Sequence, residues 1–178
     1  MRSKDWARVL AGLTIAAPIP YVAYAETYVT EGQAAALLFP GVKCELGWLD
    51  LTKDQIKAIE KASGERVLDA RVRVWQGPGG EALFIDRVVG KHEFITYAVA
   101  ISSDAAVKGI EIMDYRETYG SEVRNADWRR QFVGKTAKDR LKVTEDIKNI
   151  SGATLSSVHV TNGVRRVLQT YAALKAKA

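Results

Sequence analysis

Four short apolar stretches in the middle of the chain carry the spacing of β-strands. Val67 to Trp75 brings Val67, Ala70, Val72 and Val74 into one run, and Gln76-Gly77-Pro78-Gly79-Gly80 closes it with a strong turn. Ala82 to Val89 follows, then the turn at Gly90-Lys91, then Phe94 to Ile101, rich in β-branched and aromatic residues. Ser102-Ser103-Asp104 leads into Val107 to Tyr115. Strands so closely spaced pair antiparallel with their sequence neighbours. The period then changes. Val158, Val164, Val167, Leu168, Tyr171 and Leu174 recur at helical spacing, which predicts one long helix from about Leu155 to Ala173.

Residues 26–66 read as helical. Glu31 to Phe39 is rich in Ala and Leu and ends at Pro40-Gly41. Thr52-Lys53-Asp54-Gln55 is a capping box ahead of a short helix with Ile56 and Ile59, stopped by Gly64. Asn125 to Phe132 predicts a further short helix, and Leu141 to Ile147 a strand or extended segment. Lys175 to Ala178 is expected to be a frayed tail. The expected architecture is α+β: an antiparallel β-meander packed against helices, with an N-terminal helical region and a long C-terminal helix. The expected divisions are 1–25, 26–66 and 67–178.

The first division has the pattern of a secretory signal. Arg2, Lys4 and Arg8 precede a mostly apolar run, Val9 to Val22, and Ala23-Tyr24-Ala25 forms an A-x-A cleavage site. The run is interrupted by Pro18 and Pro20 and falls short of the roughly 20 residues of a membrane helix. Cleaved export to the periplasm or another extracytoplasmic space is the expectation, with an uncleaved N-terminal membrane anchor as the alternative. Apolar residues make up 47% of the 178, which supports one globular core and excludes a polytopic membrane protein. The net charge of +5 is partly due to the N-terminus, and the remaining basic residues are scattered. That pattern does not fit nucleic acid as a partner.

Little in the chain can carry catalysis alone. Cys44 is the single cysteine, so neither an internal disulfide nor a CxxCH haem site is available. His92 and His159 are the only histidines, too few for a zinc centre or a catalytic triad. No catalytic residue and no metal ligand set is assigned. Any redox chemistry needs an organic cofactor or a partner.

The chemistry concentrates in Ser151-Gly152-Ala153-Thr154-Leu155-Ser156-Ser157, directly at the start of the last helix. Serine and threonine there are ordinary helix caps. A helix start also offers free N–H groups and a partial positive charge, which suit phosphate. Composition alone leaves both readings open. No GxxxxGK(S/T) and no GxGxxG occurs.

SGATLSS resembles the S-G-A-T-S/T-S/T signature of the FMN-binding domain family, which includes the flavin-carrying subunits of sodium-pumping NADH:quinone reductase and of Rnf complexes. Two further elements stand in matching order. Tyr115 to Gly120 is similar to the family's E-T-x-G element, and Trp128 to Lys135 to its F-x-G-K element. The resemblance spans roughly residues 68 to 170. It implies FMN as cofactor, joined to Thr154 through a phosphoester bond that a separate flavin transferase makes from FAD. A threonine hydroxyl needs an external base, and no base neighbours Thr154 in sequence, which fits the role the resemblance implies for Thr154, a modification site and not a catalytic residue. Ser151, Gly152, Ala153, Leu155, Ser156 and Ser157 are expected around the phosphate. Glu117, Thr118 and Gly120 are expected along the isoalloxazine ring, and Lys135 near the phosphate or the ring edge. Tyr115 and Trp128 are candidates for ring stacking or for the core. One departure stands: Lys148 occupies the position three before Ser151, where members often carry Asp, and Asp146 lies two residues earlier. The resemblance implies an electron carrier served by a redox partner protein or membrane donor. A non-covalent FMN-binding or structural subunit of an exported or membrane complex is the alternative.

Overall fold

The computed structural model describes residues 26–27 and 29–176. The expected export segment, residues 1–25, lies outside the described residues. One antiparallel six-stranded sheet forms the centre, in the order β1-β6-β5-β4-β3-β2. Its strands are β1 (Glu26–Thr27), β2 (Glu45–Asp50), β3 (Arg71–Gln76), β4 (Ala82–Val89), β5 (Phe94–Ile101) and β6 (Val107–Tyr115). The last four make the expected meander, and β4, β5 and β6 have the expected bounds.

Alternation along the strands creates two cores. Val74, Phe84, Tyr97, Val99, Ile101, Ile110 and Ile112 point to one face. There they meet Val160, Val164, Val167, Leu168 and Tyr171 of the closing helix, α4 (Thr154–Lys175). Leu83, Ala98, Ala100 and Met113 point to the other face and meet Ala34, Ala35 and Phe39 of the first helix region, where α1 is Glu31–Leu38. Small residues on β5 leave room for α1. The second helix, α2 (Lys53–Ser63), lies beside α4, and Gln55 donates to the Ala173 carbonyl at 3.2 Å. Both α1 and α2 open on capping boxes, at Thr30 and Thr52, and Gly64 closes α2 in the left-handed region.

Three sequence expectations change. Residues 26–66 are not helical throughout, because Glu45–Asp50 pairs in register with β3 from Glu45↔Gln76 to Asp50↔Arg71. It is an edge strand with alternating exposure. The strand expected from Val67 begins at Arg71, since Ala70 turns its carbonyl to the Leu51 N–H at 2.8 Å. Residues 141–147 form a tight turn instead of a strand. The Asp146 carboxylate accepts the N–H groups of Leu141 (3.0 Å) and Lys142 (2.6 Å) and curls the chain around itself. The expected short helix is α3 (Ala126–Arg129), capped by Asn125 and continued by a 3-10 turn to Phe132.

Candidate functional site

The run Ser151 to Ser157 builds the N-terminus of α4. Ala153 is the N-cap residue and gives no side-chain cap, so the first N–H groups of α4 lack the usual acceptor. Gly152 precedes it at φ +86, a conformation that turns the chain into the helix. A 360 Å³ cavity opens over this helix start, within the roughly 300–1,000 Å³ range of small-molecule sites. Gly152, Ala153, Thr154, Leu155 and Ser156 form one wall. Glu117 and Tyr119, just beyond β6, form the second, and Lys91 at the β4–β5 turn forms the third.

The hydroxyls of the run are not equivalent. Thr154 is exposed at the cavity and accepts a hydrogen bond from the Asn149 amide at 3.0 Å. Ser156 is buried, and its Oγ lies 2.9 Å from the Tyr115 hydroxyl. Ser157 is wholly buried and donates back to the Ala153 carbonyl at 2.9 Å. Ser151 is exposed but does not line the cavity. Ser157, expected around the phosphate, is placed on the packed face of α4.

Gly120 explains how the second wall fits. It adopts φ +96, and a Cβ there would lie 2.6 Å from both the Ser156 Oγ and the Tyr115 Oη. Tyr115 also donates to the Tyr119 carbonyl, so the 115–120 loop closes on α4 through one phenol. Tyr115 is thus a buried strut. Thr118 is exposed and does not line the cavity.

Glu117 does a different job from the one expected. Its Oε1 accepts the N–H groups of His92 at 2.6 Å and Glu93 at 2.9 Å. Burial raises its pKa, but N–H donation from Glu93, His92 and Lys91 outweighs this and holds the carboxyl below the usual 4.5. The carboxylate joins two cavity walls.

The Trp128 to Lys135 element acts from behind. Trp128 is buried edge-to-face on Phe132, and its indole N–H donates to the Lys148 carbonyl at 2.8 Å. Gln131 accepts the Lys148 N–H at 2.7 Å. This element fixes the chain that leads into the motif, and Trp128 is not a cavity wall. Lys135 is not at the cavity either. Its ammonium lies 3.7 Å from Asp139 and 3.5 Å from Asp146, and its main chain pairs with Val107. Lys135, expected near the phosphate or the ring edge, is placed away from the cavity in these ion pairs. Asp146 is occupied by that ion pair and by the turn it holds. His159 is half-buried on α4 and does not line the cavity, and His92 is exposed in the β4–β5 turn.

Sequence reasoning missed Lys91 and Tyr119 as cavity residues. Tyr119 is 83% exposed, inside the Tyr115–Gly120 element, and is the aromatic side chain lining the cavity. An exposed tyrosine between two motif residues was its signal. Lys91 had only its turn position.

The set fits FMN. An uncapped helix start suits a phosphate, an exposed hydroxyl stands in its first turn, a tyrosine offers a ring face, and a lysine offers positive charge.

A family model described as the FMN-binding domain matches residues 90–169. That span holds all three cavity walls. One component of the Na+-translocating ferredoxin:NAD+ oxidoreductase complex of Acetobacterium woodii is 36% identical over 80 residues. The match covers 40% of this chain and 39% of that protein, so the chain spans well under half of this curated relative. The crystal structure of one component of the Na+-translocating NADH-quinone reductase from Parabacteroides distasonis aligns at a TM-score of 0.46 and 17% identity, over 76% of this chain and 77% of the other. Residues 90–169, under half of the chain, thus match an FMN-binding domain, and the cofactor this match supports is FMN.

Proposed function

We propose that this chain is an exported FMN-carrying electron-transfer protein, with FMN held on Thr154 by a phosphoester bond. The observation that carries this reading is the sorting of hydroxyls at the start of α4. Thr154 stands exposed at the cavity, while Ser156 and Ser157 are buried and packed inward. A phosphodiester keeps a negative charge, which the uncapped helix start stabilises. Thr154 has an amide beside it but no base, so a flavin transferase supplies the chemistry. The bound FMN supplies reversible hydride or electron uptake. The protein's own groups orient it: the helix start takes the phosphate, Tyr119 offers a ring face, and Glu117 sets the spacing of the walls. The electrons come from a membrane donor or a redox partner protein, in keeping with the complex to which the relative's name refers.

Export rests on the sequence pattern of residues 1–25. No helix among the described residues is long and apolar enough to cross a membrane. A second reading keeps FMN non-covalent. It is favoured by Lys148 in the place of the usual acid, with Asp146 committed to its own turn and to Lys135.

Co-expression with a flavin transferase followed by intact-mass measurement separates the two. The covalent reading expects a gain equal to FMN minus water on the Thr154 peptide, lost in Thr154→Ala. An unmodified yellow protein whose FMN leaves on denaturation supports the second reading. N-terminal sequencing of the exported protein tests cleavage before Glu26.

A further inference from the structure

We infer that Lys91 sets the reduction potential of the flavin, by placing its ammonium against the negative charge that reduction puts on the pyrimidine edge of the ring. This rests on the FMN reading above. The charged side chains lining the cavity are Lys91 and Glu117. The Glu117 carboxylate is already committed to the His92 and Glu93 N–H groups. Lys91 has no side-chain hydrogen bond or ion pair among the described residues. Its positive charge is therefore available to a ligand.

The turn that carries Lys91 is held in place. The Gly90 N–H donates to the Glu93 carbonyl at 2.7 Å. A Cβ on Gly90 would lie 2.5 Å from Glu117 Oε1, so only glycine lets the carboxylate seat against this turn. Glu117 is thus a positioning residue that acts through the 90–93 turn. The walls also have an order. Thr154 and Ser156 belong to α4, Ser156 meets Tyr115 and hence the Tyr119 carbonyl, and Glu117 then reaches the Lys91 turn. With the phosphate at the Thr154 end, the lysine is left for the ring. A reduced flavin carries negative charge at its N1 and C2 carbonyl. A cation there stabilises the reduced form over the oxidised form.

The test is the midpoint potential of FMN-loaded protein by spectroelectrochemistry at neutral pH, alongside binding of FMN and riboflavin to the apoprotein. Lys91→Gln is expected to lower the preference for reduced flavin about tenfold, a shift of ~30 mV to more negative potential for a two-electron couple. Lys91→Arg keeps the charge and most of the potential. Lys57→Gln, an exposed lysine on α2, leaves it unchanged. Reduced FMN and reduced riboflavin are expected to lose affinity alike in Lys91→Gln. An unchanged potential in Lys91→Gln, with wild-type FMN loading, overturns the inference. So does a loss of affinity confined to FMN, which would assign Lys91 to the phosphate. A wild-type protein that takes up no FMN overturns the FMN reading itself, and this inference with it.

Discussion

At the scale of single residues, the site depends on which groups around α4 are free and which are spent. Gly120 illustrates this. Its backbone is left-handed, and two hydroxyl oxygens occupy the space a Cβ would take. Gly120→Ala is expected to cost about 2 kcal/mol, from backbone strain and displacement of the Tyr115–Ser156 contact. Urea unfolding measures the loss, and FMN affinity should fall with it, because the moved loop carries Glu117 and Tyr119. The motif singled out Thr154, which lines the cavity. It did not separate the serines, although the helical pattern contained the answer: Ser157 shares a face with Val160, Thr161 and Val164, all buried. The position of Lys135 was not legible, because its carboxylate partners, Asp139 and Asp146, come from two turns that periodicity does not reveal. Lys91 was missed because it depends on Glu117, which is far away in sequence.

At the scale of elements, α4 joins the candidate site to the sheet, and its fit rests on one narrow contact. A Cβ on Gly163 would lie 2.0 Å from the Tyr97 Oη. That phenol donates to Asp86 at 2.7 Å, and Asp86 accepts from Arg166 of α4 at 2.8 Å. Arg166 also donates to the carbonyls of Arg66 and Arg87, each at 2.8 Å. Burial and the Asp86 charge push the Tyr97 phenol well above its usual value, so it remains a donor. Gly163→Ala should destabilise the protein by about 3 kcal/mol, and less in a Tyr97→Phe background, where the nearest atom is gone. Asp86→Ala leaves Arg166 and Tyr97 without their acceptor in a buried setting and should cost about 3 kcal/mol or more. Calorimetry of the three single variants and of the Tyr97→Phe/Gly163→Ala double variant checks these values. The strands of the meander were legible because Gly, Pro and Ser turns bracket them. The edge strand β2 was not. Gly47 interrupts it, one side of it faces solvent, and its partner strand supplies the register.

At the scale of the whole molecule, the cavity is assembled at one end of the sheet from segments distant in sequence, and carboxylates hold its loops. Glu117 fixes the β4–β5 turn, and Asp146 curls residues 141–147 behind the motif. Both are held below their ordinary values. In each, burial pushes the pKa up and is outweighed, by backbone N–H groups at Glu117 and by N–H groups with the Lys135 charge at Asp146. The sign follows from linkage. A carboxyl with a depressed native pKa binds fewer protons folded than unfolded, so its contribution is complete above the ordinary value and fades as pH falls through the native one. The fold should therefore hold a plateau above pH 4.5 and weaken on acidification below it, as Glu117 and Asp146, together with the likewise lowered Asp139 and Glu145, take up protons. Glu117→Gln should lower stability on the plateau and reduce the acid loss, leaving the part due to the other depressed carboxyls, Asp146 among them. Denaturant unfolding from pH 7 to 3 reads both changes. Equal acid sensitivity in wild type and Glu117→Gln would show that the carboxylate does not hold the cavity walls together.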